Sequence, residues 1–329
     1  MSVDLGQVDA GSHVIVDPSI ISSSSYSGSV DYQFQRKVFQ DSKGRYFVFY
    51  YDGYSVGYSS SSDGATWSSK QSMPPGWPGY ADSLTSLPSV ANYGETVVVS
   101  AGDYLAPAWG TRGNVSVSVR YAIGTVSGSS ISWGQTQNIT ASTYHCGIDW
   151  GCQGVSVGVR LVYAMLNPNG DVAFSYNAYN NTGGCCSNQN AISVIYRRGA
   201  STYSATVESY TACDNEPTAS VVVPEGDPSS GIVRLVYEDP GSNPCYNAYD
   251  QLDSITYSST LNAIGQVDFL NAYEANHEFS VASDAEYNTH VVVASTQGSA
   301  YYLFHSPGSS WTNPVEVFGA SVPTVTVDL

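Results

Sequence analysis

A glycine turn followed by an apolar strand that ends in an acid or amide recurs along this chain, and no other feature limits its fold as strongly. The copies are GRYFVFYYD (44 to 52), GETVVVSAGD (94 to 103), GDVAFSYN (170 to 177) and GIVRLVYED (231 to 239), with THVVVAST (289 to 296) as a looser fifth. Each is followed by a Tyr-rich alternating stretch, such as YSVGYSSS (54 to 61) or AISVIYRR (191 to 198). Each is also preceded by a strand-like stretch, such as FQRKVFQD (34 to 41) or EPTASVVV (216 to 223). A last strand, such as SWGQTQNI (132 to 139) or WTNPVEVF (311 to 318), ends each unit. Alternation with period two marks a half-buried strand, because successive side chains point to opposite faces. Repeated four-strand units of about 45 to 60 residues are small twisted sheets that bury both faces only against their neighbours around an axis.

The chain is therefore predicted to be all-β: one β-propeller domain over residues 1–329, built of four-stranded antiparallel blades. The units fall at about 34–83, 84–140, 153–212, 213–272 and 273–318. Residues 1–33 and 319–329 are read as a sixth, composite blade made of both termini, since VPTVTV echoes EPTASV and LPSVAN. Closure by both termini would leave no open sheet edge. Five blades is the alternative, with the termini only patching existing sheets.

Composition agrees and narrows the function classes. Only 12% of residues are charged and 26 are tyrosine, which favours strands over helices. The formal net charge is -17, and the few lysines and arginines form no run, so no positive stripe exists to displace counterions from a phosphate backbone and nucleic acid is not an expected partner. No window approaches the roughly 18 consecutive apolar residues of a membrane span. The first residues, MSVDLGQVDAGSHVIVD, lack the basic and apolar regions of a secretory signal, so a secreted form would be a mature or excised chain.

Cys146, Cys152, Cys185, Cys186, Cys213 and Cys245 all lie in the middle of the chain, in Gly- and Asn-rich surroundings and without the C-x-x-C spacing of a zinc site. They are read as disulfide-forming. Cys146 with Cys152 would close a small loop presenting Asp149 and Trp150, and the adjacent Cys185 and Cys186 are expected to take different partners, such as Cys213 and Cys245. Sequons at Asn114, Asn138 and Asn180 point the same way. An extracellular or virion-surface setting is expected, the latter including a virion of a hyperthermophilic host, where intracellular disulfides are normal.

The stretch SSDGATW falls between the third and fourth strands of the first unit, and SPGSSW (306 to 311) and SGSSISW (127 to 133) occupy the same slot elsewhere. Asp63 can accept backbone N–H bonds in a tight turn, Gly64 permits positive φ, and Trp67 can fold its ring underneath. Ser61 or Ser62, Asp63, Gly64, Thr66 and Trp67 resemble the Asp box of sialidases and other BNR-repeat propellers, and the blade pattern is similar. That resemblance implies a structural turn on the face away from the active site.

Function is then expected on the opposite face, where the 2-to-3 and interblade connections emerge. YLAPAWGTRGN (104 to 114), AYNNTGGCCSNQN (178 to 190), PGSNPCYNAYDQL (240 to 252), TASTYHCGIDWGCQG (140 to 154) and TACDN (211 to 215) are read as loops there, and they hold every cysteine. Stapled loops lose less entropy on binding a ligand. Tyr104, Trp109, Trp150, Tyr179, Tyr246, Tyr249 and His277 are the candidate ligand-binding residues, because aromatic faces stack on sugar C–H surfaces while neighbouring polar groups bond hydroxyls.

The resemblance also implies what a sialidase-type enzyme would need: three arginines for a carboxylate, a tyrosine–glutamate pair and an acid/base aspartate. The candidates are Arg36, Arg112 and Arg160 with Glu216, Glu278 and Asp149. Against this, FQRKVF has Lys37 and no proline after its arginine, unlike the family pattern. The same acids would suit a structural calcium ion, and no other cofactor is implied. The expectation is a non-catalytic recognition propeller for glycans or a surface partner. A sialidase-like exo-glycosidase and a structural subunit of a virion or cell-surface assembly are the alternatives.

Overall fold

The computed structural model describes residues 35–77, 87–105, 113–146, 156–181, 188–212, 218–239, 250–274, 279–294 and 299–318. Blade 1 is β1 (Val38–Gln40), β2 (Tyr46–Tyr51), β3 (Val56–Ser61) and β4 (Gln71–Ser72), hydrogen-bonded in that order. Blade 2 contains β5 (Ser89–Tyr93) and β6 (Thr96–Ala101); the chain then contributes β7 (Tyr104–Leu105) to the next sheet before returning as β8 (Gly113–Ser127), β9 (Ser130–Trp133) and β10 (Gln137–Cys146). Blade 3 is β11 (Ser156–Leu166), β12 (Val172–Asn181), β13 (Asn188–Arg198) and β14 (Ser201–Ala212), with β7 along its inner edge. Blade 4 is β15 (Ser220–Pro224), β16 (Val233–Asp239), β17 (Asp250–Tyr257) and β18 (Ala263–Glu274), and blade 5 is β19 (Phe279–Ser283), β20 (Thr289–Ala294), β21 (Ala300–His305) and β22 (Val315–Phe318).

The molecule is an all-β propeller of small antiparallel sheets. Among the described residues there are five blades, the number held as the alternative; the composite sixth blade of residues 1–33 and 319–329 lies outside them. The core sits between blades. Phe39, Phe47, Phe49 and Tyr58 of blade 1 pack on Val90, Val97, Val99 and Ile131 of blade 2. Val119 and Tyr121 of blade 2 pack on Val159, Phe174 and Tyr176 of blade 3. Leu161, Ile192 and Tyr196 of blade 3 join Val221, Leu235, Phe279 and Leu303 of blades 4 and 5. Fully burying one such side chain stabilises by about 1.5–3 kcal/mol. Several tyrosines fit this design because they bury the ring and spend the hydroxyl across a seam. Tyr58 accepts a bond from the Ile131 amide and donates to Gln71, and Tyr176 donates to the Ala141 carbonyl.

One five-residue turn repeats at the same end of the disc. Asp41, Asn167 and Asp284 each accept, through the side chain, the amides of the residues two and four further on. The fourth position of each is left-handed: Gly44 at φ 79, Gly170 at φ 80 and Tyr287 at φ 61. The turn at Ser258 has the same backbone bonds, with Leu261 at φ 55. At this end too, Asp63 accepts from the Ala65 and Thr66 amides and from the Ser61 hydroxyl, with Gly64 at φ 73 and Trp67 half-buried. These bonds pull the Asp63 carboxyl down to about 2, the Thr66 amide contributing most.

Several strands run further than the sequence pattern suggests. Residues 140–146, expected as an interblade loop, are the second half of β10, so Cys146 ends a strand. Tyr104, Tyr179 and Asn188 were likewise expected in loops, yet they lie on β7, β12 and β13. Neither alternation nor Gly/Asn punctuation alone locates the last ladder bond of a strand.

Candidate functional site

Blade 3 carries an unbroken cross-strand row at the end opposite the repeated turns. Tyr104 on β7 faces Gly158 on β11, Gly158 faces Tyr179 on β12, Tyr179 faces Asn190 on β13, and Asn190 faces Tyr210 on β14. Two residues further in, Arg160, Asn177, Ile192 and Glu208 form a second row on the same face, because strand neighbours two apart share a face. Gly158 is required by the first row: a Cβ there would stand 2.2 Å from Cε1 of Tyr179. The Tyr179 ring therefore lies across the glycine, 6.4 Å from the Tyr104 ring at an interplanar angle of 19°. The Arg160 guanidinium carbon sits 3.4 Å from the Tyr179 centroid, a cation–π contact that burial strengthens. A bulge follows, with Leu161 at φ 50, and it turns both Arg160 and Leu161 to the blade 4 side.

Polar groups surround this stack. The Asn177 amide donates to the Tyr210 hydroxyl at 3.1 Å and to Thr218 Oγ1 at 3.3 Å, and the Thr218 amide donates to Tyr210. Burial pushes the Tyr210 hydroxyl up to about 12, so it stays protonated. Asn177 Oδ1 and Asn190 Nδ2 are buried without a hydrogen-bond partner among the described residues, and buried polar atoms of that kind call for a bound group or water. On the other face of this sheet, against blade 2, a cleft of about 490 Å³ lies between Thr143 and Tyr144 of β10 and Val157, Ala178, Asn180 and Ala191 of blade 3, with Tyr179, Asn190 and Tyr210 also at its wall.

Across the seam, blade 4 contributes carboxyl groups. Burial, and then the neighbouring Asp239, push Asp253 up to about 7. Burial, and then Asp239, also raise Glu208. A carboxyl group that titrates near neutrality can offer a proton as well as accept one. Chemically, this end holds one exposed aromatic ring, Tyr104, over a buried layer of amide and hydroxyl groups, a cation held over the Tyr179 ring, and a carboxyl whose proton affinity is raised.

Of the residues expected from the sequence, the structure brings together Tyr104, Tyr179 and Arg160. Arg36 is half-buried just before β1, its carbonyl accepting from the Val90 amide. Trp109, Trp150, Tyr246, Tyr249, His277, Arg112, Asp149, Glu216 and Glu278 lie outside the described residues, as do Cys152, Cys185, Cys186, Cys213 and Cys245. Asn114 and Asn138 are exposed on blade 2, whereas Asn180 is half-buried in the cleft wall. Among the described residues no group of three or more His, Cys, Asp or Glu side chains is placed to hold a metal ion. Asn177, Asn190, Tyr210, Glu208, Asp239 and Asp253 are not among the residues the sequence points to. Their signal was only that of polar residues inside alternating strands, and the register that aligns them is invisible without strand pairing.

The chain matches no protein-family model and no curated protein. Among solved structures it is similar to a polysaccharide lyase described as an ulvan lyase of family PL25 (10% identity over 94% of this chain and 78% of that one, TM-score 0.49). It is also similar to an Aleuria aurantia lectin mutant in complex with Fucα1-6GlcNAc (12% identity, 86% and 78% coverage, TM-score 0.45). A third is an exo-1,5-α-L-arabinanase from a bovine ruminal metagenomic library (12% identity, 86% and 96% coverage, TM-score 0.42). Identities this low do not speak to function.

Proposed function

We propose that this propeller is an extracellular or virion-surface recognition protein that binds glycans at the end of the disc carrying Tyr104 and Tyr179. The row Tyr104–Gly158–Tyr179–Asn190–Tyr210 supports this reading most directly. The exposed Tyr104 ring, set beside the buried Tyr179 ring, would offer its face to the C–H side of a sugar ring, while the unsatisfied Asn190 Nδ2 and Asn177 Oδ1 would supply a donor and an acceptor for hydroxyls. Disulfides among the six cysteines would hold the neighbouring loops for the same task. A glycan array probed with the purified protein tests the proposal: specific binding is expected, reduced at least tenfold by Tyr179→Ala, and an array on which wild type and Tyr179→Ala are equally blank would refute it.

One observation favours a second reading, an exo-glycosidase of sialidase type: Asp253 titrates near neutrality beside Asp239. Turnover of a fluorogenic glycoside panel, sialosides included, that is abolished by Asp253→Asn or by Glu216→Gln or Glu278→Gln would establish chemistry. Binding without turnover supports the module.

A further inference from the structure

At the turn-bearing end, between blades 4 and 5, a pocket of about 540 Å³ has an ion pair as its floor. Arg234 and Glu225 are both buried and meet in a two-point fork, Nε to Oε2 at 2.9 Å and Nη2 to Oε1 at 3.1 Å. Nη1 donates to Ser254 Oγ at 3.1 Å and to Asp268 Oδ2 at 3.3 Å, and Nη2 lies 3.0 Å from His305 Nε2. All five guanidinium protons are thus engaged, as an Arg fork allows. Since guanidinium can only donate, His305 Nε2 must accept, which puts the ring proton of the neutral imidazole on Nδ1. Burial first, and then Arg234, hold His305 below its usual range, consistent with a neutral ring.

That Nδ1–H is the unspent group. His305 is only 2% exposed, and Nδ1 makes no well-formed hydrogen bond among the described residues: the nearest Glu225 oxygen is 3.8 Å away, and the Ser309 backbone beside the ring only favours its proton weakly. The Trp311 ring packs on the imidazole at 5.1 Å, but its indole N–H is already given to Ser254. Asp268, half exposed at the rim, keeps free acceptor capacity, and Ile264 and Pro307 supply an apolar wall. The ligand class follows from what is left over. Simple anions find no free guanidinium proton and face Glu225, Asp227 and Asp268 together. The group that both accepts from Nδ1–H and donates to a carboxylate is a hydroxyl, and a ring bearing several of them also has a C–H face for Ile264.

We propose that this pocket is a binding site for a neutral polyhydroxylated ligand, of the size of a mono- or disaccharide, bound between His305 and Asp268. The site sits at the other end of the blade strands from the Tyr179 row and does not depend on what that row binds. Saturation-transfer NMR with the methyl glycosides of glucose, galactose and mannose tests it on four full-length proteins: wild type, Asp268→Ala, Gln266→Trp and Tyr179→Ala. Asp268 and Gln266 are exposed, so both pocket variants should fold, which thermal melts check. At least one glycoside is expected to bind wild type and Tyr179→Ala alike, about tenfold or more weakly to Asp268→Ala, as for a lost bond to a charged group, and not at all to Gln266→Trp, whose indole fills the cavity. No binding to wild type, or binding indifferent to both pocket variants, would overturn the proposal; loss confined to Tyr179→Ala would assign the glycoside to the opposite end instead.

Discussion

At position 158 a hydrogen atom stands where every other residue type places a carbon, and the Tyr179 ring occupies the space so freed. The consequence is directly testable, because Gly158→Ala removes no atom that a ligand would touch. It should cost roughly 1–3 kcal/mol through overpacking and displace the ring. Glycan binding should therefore fall with it, by an amount comparable to Tyr179→Ala. Denaturant melts give the first quantity and array titration the second; wild-type affinity in Gly158→Ala would remove Tyr179 from the site. At the same scale, Arg160 shows how much local chemistry a sequence reading can anticipate. It was picked out as an anion ligand, but it is buried over the Tyr179 ring, a role that depends on a neighbour 19 positions away, supplied by strand pairing.

Among the elements, the recurrent five-residue turn explains both what the repeat revealed and what it hid. Gly44 and Gly170 stand at its left-handed position in blades 1 and 3, and the glycine-then-strand signal in the sequence is largely that position read out. In blade 5 Tyr287 takes the same place, so the fifth copy looked loose although its backbone bonds are the same. Gly170 has open space where a Cβ would go, so Gly170→Ala isolates the conformational cost, expected to be about 1–2 kcal/mol. Tyr287→Gly should shift stability the other way, relieving strain of similar origin; urea melts of the two variants check the opposed signs, and a destabilised Tyr287→Gly would mean that the side chain's packing outweighs its strain. Strand existence and blade order were legible because alternation is local. Strand ends, the loan of β7 to blade 3 and the bulge at Arg160–Leu161 were not, since each is set by a partner strand and not by the segment itself.

For the molecule as a whole, acid and neutral pH should act on different carboxyls with opposite sign. Asp52 and Asp63 are held near 2, the former by Lys70 and local amides acting against its burial, the latter by turn amides. Their folded values lie below the unfolded ones, so the stability they contribute is present above about pH 4 and is lost as pH falls towards 2. Asp253 is raised to about 7, so its folded form favours the proton and stability drains away as pH rises from about 4 to 7, by about 4 kcal/mol at most. Stability should therefore peak on the acid side of neutrality. Asp253→Asn should flatten the decline between pH 4 and 7 while leaving the acid limb in place, as read from melts across that range; an unchanged profile would show that Asp253 is not the titrating group. The seven-residue strand β16 adds a last consequence, since Arg234 stands near one end and Asp239 at the other. The pocket over Arg234 and the region around Tyr179 and Asp239, at opposite ends of strands of this length, would be roughly 20 Å apart and open in opposite directions. A single copy would then act as a rivet between two polymers, and mixing it with a soluble polysaccharide should give turbidity that peaks at matched stoichiometry and clears in protein excess.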